Sequence, residues 1–267
     1  MKINKLILSI LALTLSLGSC KKDNSDWSSE QDNAIASELF QDIYKQLDEA
    51  AQSEGSLKSC ATIIISSIDT IFPKTVTIDF GSGCAGSDGR IRSGSINAIF
   101  SGRWRNAGTV VSISTNNYFV NGYAVSGNVT ITNNGRNSSN NISYTVNVTN
   151  GTISDANNNS HQWSGTTTYE WVQGESTTFF TNGLSGITDD VYHITGSSSG
   201  TNRNGRNYTA LITERLVRAL NCKWITDGTI EITPDNADTR TINFGDGNCD
   251  ATVTLSLRNW STNFVLP

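Results

Sequence analysis

Histidine occurs only at His161 and His193, and the chain of 267 residues has five cysteines. The side chains that most often act as nucleophiles, bases and metal ligands are therefore scarce. Gly196-Ser197-Ser198-Ser199-Gly200 has the form G-x-S-x-G, a turn that in hydrolases presents a serine between a strand and a helix. Here a Thr-Asn-Arg-Asn loop follows instead of a helical pattern, and both histidines precede the serine. The segment reads as a hairpin loop. Asp155-Ala156-Asn157-Asn158-Asn159 and Asp246-Gly247-Asn248-Cys249-Asp250 open like calcium loops, but neither continues with the glycine and glutamate such loops need. They read as turns, and no metal or other cofactor is expected.

Two further features address ligands rather than reactions. Asp88-Gly89-Arg90 offers an arginine fork that can hold a carboxylate, though its simplest form is a turn with an exposed salt bridge. Trp104 stands between Arg103 and Arg105, and Trp163, Trp171, Trp224 and Trp260 recur on strands. Facing solvent they would form a platform for sugar rings; on the apolar side of their strands they would be core.

The cysteines follow a duplication. Residues 75–92, TVTIDFGSGCAGSDGRIR, are echoed by residues 239–249, TRTINFGDGNC. Cys60 precedes the first copy and Cys222 the second, and Pro73 and Pro234 stand just before the two strands. At the other end of the chain, Lys2 and Lys5 precede an apolar run over residues 6–17, too short for a membrane span and laid out as an export signal. Exported cysteines meet an oxidising compartment. Of the three possible pairings of the four cysteines after Cys20, the duplication favours Cys60–Cys84 with Cys222–Cys249; a zinc site lacks any C-x-x-C pair.

The elements that hold these residues separate by period. Over residues 29–55, Ile35, Leu39, Ile43 and Leu47 recur every fourth position with Phe40 beside them, which predicts one amphipathic helix ending near Gly55. Ser29 and Asp32 form a loose capping box. Docking of the stripe on the rest of the chain is expected, against the alternative of a free acidic stalk. From Cys60 onward the period is two, with Val76, Ile78 and Phe80, then Val129 and Ile131, then Tyr144, Val146 and Val148, set among Ser, Thr and Asn. Asn121-Gly122, Asn133-Asn134-Gly135 and Asn150-Gly151 read as hairpin turns. The fold class is mainly β: a long antiparallel meander of roughly twelve strands, curved, barrel-like or sandwiched, with the one N-terminal helix. Residues 1–19 are the export signal, 20–28 a tether, 29–55 the helix and 56–267 a disulfide-stapled β-domain.

Leu17-Gly18-Ser19-Cys20 resembles the lipobox of bacterial lipoproteins. The resemblance implies that Cys20 is acylated and becomes the N-terminus. With the acidic helix, PKTVTIDFGSGCAGSDGRIRSG and TRTINFGDGNCD, the whole chain resembles an uncharacterised family of Bacteroidota lipoproteins, which brings no catalytic residues to carry over. It implies a lipid-anchored outer-membrane protein on the periplasmic or cell-surface face. The formal charge is −5; residues 21–54 hold nine acidic and three basic side chains, so the β-domain is close to neutral, which argues against nucleic acid as partner. The expected partners are the membrane, through the lipid, and a glycan or protein ligand. A binding or structural role is expected, not an enzyme. The alternatives are a glycan-binding surface protein, which would expose coplanar aromatics, and a carboxylate-dependent hydrolase, which would bring paired Asp or Glu into a cleft.

Overall fold

A computed structural model describes residues 24–56, 60–66 and 71–267. The export signal and Cys20 lie outside the described residues. The single long helix, α1 (Ser28–Gln52), is followed by a meander of fourteen strands. These are β1 (Thr62–Ile65), β2 (Lys74–Asp79), β3 (Cys84–Ala85), β4 (Ile91–Phe100), β5 (Val110–Val120), β6 (Tyr123–Arg136) and β7 (Ile142–Ser154). Then come β8 (Ser160–Gln173), two single-turn helices α2 (Phe179–Asn182) and α3 (Ser185–Thr188), β9 (Val191–Thr201), β10 (Asn207–Ala219) and β11 (Asp227–Pro234). The chain closes with β12 (Arg240–Asp246), β13 (Thr252–Leu257) and β14 (Trp260–Val265).

Each strand pairs antiparallel with its sequence neighbour, except that β2 pairs with β4 and the short β3 adds to the far end of β4. The sheet is curved and not closed, with β1 and β14 at its two edges. Glycines at bulges help it bend. At Gly94 (φ +74°) a Cβ would stand 1.9 Å from the Asn117 carbonyl oxygen, where the β4–β5 register shifts. The Asn150-Gly151 and Asn133-Asn134-Gly135 segments, expected as turns, are irregularities within β7 and β6, while Asn121-Gly122 makes the expected β5–β6 turn with both φ positive. Gly196–Gly200 likewise lies inside β9, not in a loop.

The sheet wraps α1. The apolar stripe is buried as expected, with Leu39 at 1 % exposure and Ile43 and Leu47 at 0 %, and the polar side of the helix is buried too: Glu30, Glu38, Asp42 and Asp48 are all at 0 %. The stalk is thereby excluded. Burial of Leu39, Phe40, Ile43 and Leu47 contributes about 1.5–3 kcal/mol each in transfer free energy before ordering is subtracted. The strands turn their apolar parity towards the helix and leave Ser112, Ser114 and Thr195 outside. The capping box does not form: Trp27 is the N-cap without a side-chain bond, and Asp32 instead accepts from Arg203. The helix stops where Glu54 and Gly55 take positive φ and the Gly55 N–H donates to Ala50 O at 3.0 Å. The disulfides are Cys60–Cys84 and Cys222–Cys249, each stapling one copy of the duplicated hairpin, β1–β2 or β11–β12. No described helix is long and apolar enough to cross a membrane.

Candidate functional site

The acids of α1 reach arginines carried by the sheet. Asp42 accepts from Arg92 Nε at 2.9 Å and Nη2 at 2.5 Å, from Arg90 Nη1 at 3.2 Å and from the Tyr118 hydroxyl at 2.8 Å. Glu38 accepts from Arg90 at 3.1 Å, Arg218 at 3.2 Å and the Ile225 N–H at 2.8 Å. Glu30 pairs with Arg240 at 3.0 Å, and Asp32 with Arg203. Burial alone would raise the proton affinity of Asp42, but the Arg92 charge and hydrogen bonds, with Arg90 and Tyr118, hold it well below the usual carboxylate range. The Asp88-Gly89-Arg90 turn belongs to this network, which corrects the exposed salt bridge expected there. Arg90 is 1 % exposed, and Asp88 binds the Arg92 guanidinium at 2.6 and 3.0 Å. Arginine here reaches inward because the helix brings carboxylates that a water-facing turn would not supply.

At the C-terminal end of α1 the pattern changes. Asp48 accepts from Trp104 Nε1 at 2.7 Å and from the Tyr192 hydroxyl at 3.2 Å, and Gln52 Nε2 bridges Asp48 at 2.9 Å and Asp190 at 2.8 Å. Trp171 Nε1 donates to Asp190 at 3.0 Å. No arginine or lysine is among these hydrogen-bond partners. Burial, and for Asp48 the neighbouring Asp190 charge, raises both carboxyls and outweighs the hydrogen bonds that favour the ions. Both groups therefore favour their protonated forms more than an exposed carboxyl does.

Over this pair opens a cleft of about 580 Å³. Its floor is the last turn of α1 with Gln52, and Trp104 stacked on Tyr144 at 4.8 Å. Phe72, Phe100 and the 62 %-exposed Phe180 of α2 supply its apolar walls; Lys74, Arg103, Arg105 and Glu54 also line it. Its volume falls within the 300–1,000 Å³ of small-molecule sites.

The five tryptophans do not assemble a solvent-facing platform: Trp260 alone is exposed, at 51 %, and packs on Trp27 at 4.7 Å, Trp224 is half-buried, and the other three are core. Trp104, Trp163 and Trp171 are 5 %, 5 % and 1 % exposed. Each occupies the apolar parity of its surroundings and turns its N–H to a buried acceptor: Trp163 stacks on Phe40 and donates to Asn33 at 3.0 Å. Of the three, Trp104 alone lines the cleft. The calcium-like Asp155 spends its oxygens on its own turn, accepting from Asn157 and Asn159, and no group of three or more potential metal ligands occurs among the described residues. His161 sits buried 3.7 Å from Asp32, far along the helix from the cleft, and His193 lies against Arg215 on the outer face. Sequence reasoning missed Asp48, Gln52 and Asp190, because the helical pattern assigned the polar side of α1 to water. The available signal was the inward parity of arginines: Arg240 shares a strand face with Ile242 and Phe244, and Arg218 with Leu216.

No family model, curated protein or solved structure matches the chain.

Proposed function

We propose that the chain is a lipid-anchored lipoprotein of the outer membrane that binds a ligand, with the cleft at the C-terminal end of α1 as its binding site. The observation that carries this reading is the cleft itself, with its aromatic walls and positioned polar groups. A binding role is favoured over catalysis because the paired carboxyls, Asp48 and Asp190, are both 0 % exposed and stand behind Gln52 and Trp104. The carboxylate-dependent hydrolase is the second reading, favoured by the raised proton affinity of that pair. A glycan ligand would stack within the cleft, since Trp260 is the one exposed tryptophan among the described residues and a lone exposed ring makes no outer platform.

The binding test uses residues 21–267, which retain every described element, and the neutral fluorophore N-phenyl-1-naphthylamine. One saturable site is expected, weakened several-fold by Phe180→Ala at the exposed rim. Absence of saturable binding, or binding indifferent to Phe180, would overturn the cleft as the site. Hydrolysis of a glycoside or ester that is abolished by Asp190→Asn would favour the second reading. The anchor is tested separately: Cys20→Ser should abolish palmitate labelling in cells, and normal labelling of that variant would remove the lipid from the proposal.

A further inference from the structure

We propose that the cleft selects an organic anion, a molecule with an apolar ring or chain and one carboxylate or sulfonate; this rests on the cleft being the binding site. The apolar body fits Phe72, Phe100, Trp104 and Phe180, and the charged end fits Arg105 with Arg103 and Lys74 at the rim. Among the described residues, Lys74, Arg103 and Arg105 line the cleft with one acid, Glu54, in a chain whose total is 19 basic and 24 acidic residues. The local charge runs against the trend of the molecule.

Arg105 carries the argument furthest. It is half-buried, and its guanidinium lies over the Trp171 ring at 4.5 Å. Its hydrogen bonds go to neutral oxygens: Glu175 O at 3.0 Å, Gln52 Oε1 at 2.8 Å and Thr177 O at 3.4 Å. Elsewhere around α1 the buried guanidiniums of Arg90, Arg92, Arg218 and Arg240 each meet a carboxylate. Gln52 stands between Arg105 and the two acids; the Arg105 charge acts to lower Asp190, but burial outweighs it and raises both carboxyls. Arg103 meets Glu54 at 3.3 Å, but both side chains are more than half exposed, so this pair is readily exchanged for a ligand.

A competing role for the cations is to complement the C-terminus of α1. That end carries roughly half an elementary negative charge. Its last carbonyls are already engaged, since the N–H groups of Ser53, Glu54 and Gly55 donate to Glu49, Ala51 and Ala50. A half charge, partly discharged, does not replace the carboxylate that Arg90, Arg92, Arg218 and Arg240 each meet and that Arg105 lacks among its hydrogen-bond partners.

The test compares two probes with the same ring system, the anionic 8-anilino-1-naphthalenesulfonate and the neutral N-phenyl-1-naphthylamine, on residues 21–267. One charge-assisted contact predicts that the anion binds about tenfold more tightly at low salt. Arg105→Gln should bring the ratio of the two affinities close to one while leaving the neutral probe bound. High salt should weaken only the anion. Should Arg105→Gln fail to fold by circular dichroism, the double variant Arg103→Gln with Lys74→Gln, at the rim, should lower the ratio in its place. Equal affinities in the wild type, or a ratio unmoved by these variants, would overturn the anion preference and leave the cleft standing. Failure of both probes to bind would take the cleft reading with it.

Discussion

Asp42→Asn changes one charge and almost no volume, so it isolates what a buried carboxylate does at the middle of α1. Asp42 receives four hydrogen bonds, three of them from the Arg90 and Arg92 guanidiniums. Asparagine keeps one accepting oxygen and turns an NH2 group towards donors that need an acceptor. Removing one partner of a buried ion pair costs about 3–5 kcal/mol. The lower end applies here, because Arg92 retains Asp88 and Arg90 retains Glu38. A loss of about 3 kcal/mol corresponds to a fall of roughly 6–12 °C in Tm for a chain of this size. Urea unfolding followed by circular dichroism measures it, with Glu54→Gln as the exposed control, where less than about 0.5 kcal/mol is expected. The pH dependence adds a sign. Because Asp42 is held below its unfolded value, its contribution is present above about pH 4 and is lost as pH falls through the folded value. The gap between wild type and variant should therefore be level near neutrality and shrink on acidification. A gap below about 0.5 kcal/mol at pH 7, or one that widens in acid, would refute the account of the network.

Phe40→Ala removes a ring stacked on Trp163 at 5.2 Å and should cost about 3–5 kcal/mol; an unchanged Tm would mean that α1 does not complete the core. Asp190 has a raised folded value, so its contribution is full in acid, begins to fall near pH 4 and is lost as pH rises through that value. Asp190→Asn should accordingly flatten the decline in stability between pH 5 and 8, and parallel curves for the two proteins would refute the raised proton affinity of Asp190. Cys249→Ser should remove about 2–4 kcal/mol and leave Cys222 as a free thiol detectable by alkylation; a peptide joining Cys222 to Cys60 or Cys84 would contradict the stapled hairpins.

Much of the architecture was legible because the relevant signals are local. The two-residue period marks which face of each strand is apolar, and the duplicated hairpin carries the disulfide pairing with it. Asn150-Gly151 and Gly196–Gly200 misled because a bulge and a turn ask the same thing of the backbone. Asn150 and Gly196 both have positive φ, yet the chain runs on because neighbouring strands continue on either side. The polar face of α1 misled for a different reason. A helical pattern reports which positions are apolar, not what the others will meet, and buried acids look like wet ones until the strand arginines are placed. Asp190 is harder still, since it lies 138 positions from Gln52 in sequence and reaches it only once the strands between have been folded into a sheet.

The arginines also explain why α1 sits where it does. An apolar stripe repeating every fourth residue tolerates a slide of one turn, exchanging Leu39 for Ile43 with little loss. The ionic contacts do not: Glu30 meets β12, Asp32 the β9–β10 turn, Glu38 β10 and Asp42 β4, each at one height along the helix. Such a slide would strand buried charges at several levels at once, so the pairs specify the register even where their net stabilisation is small. After Lys45, which lies near Glu49 and Asp88, the series of buried pairs stops. Asp48 meets only neutral donors and Arg105 only neutral acceptors, with Gln52 held between them. The helix is thus clamped by buried ion pairs along most of its length, whereas at the end that opens to the cleft Asp48 and Arg105 hydrogen-bond only to neutral partners, which is where a ligand's own charge would complete the set.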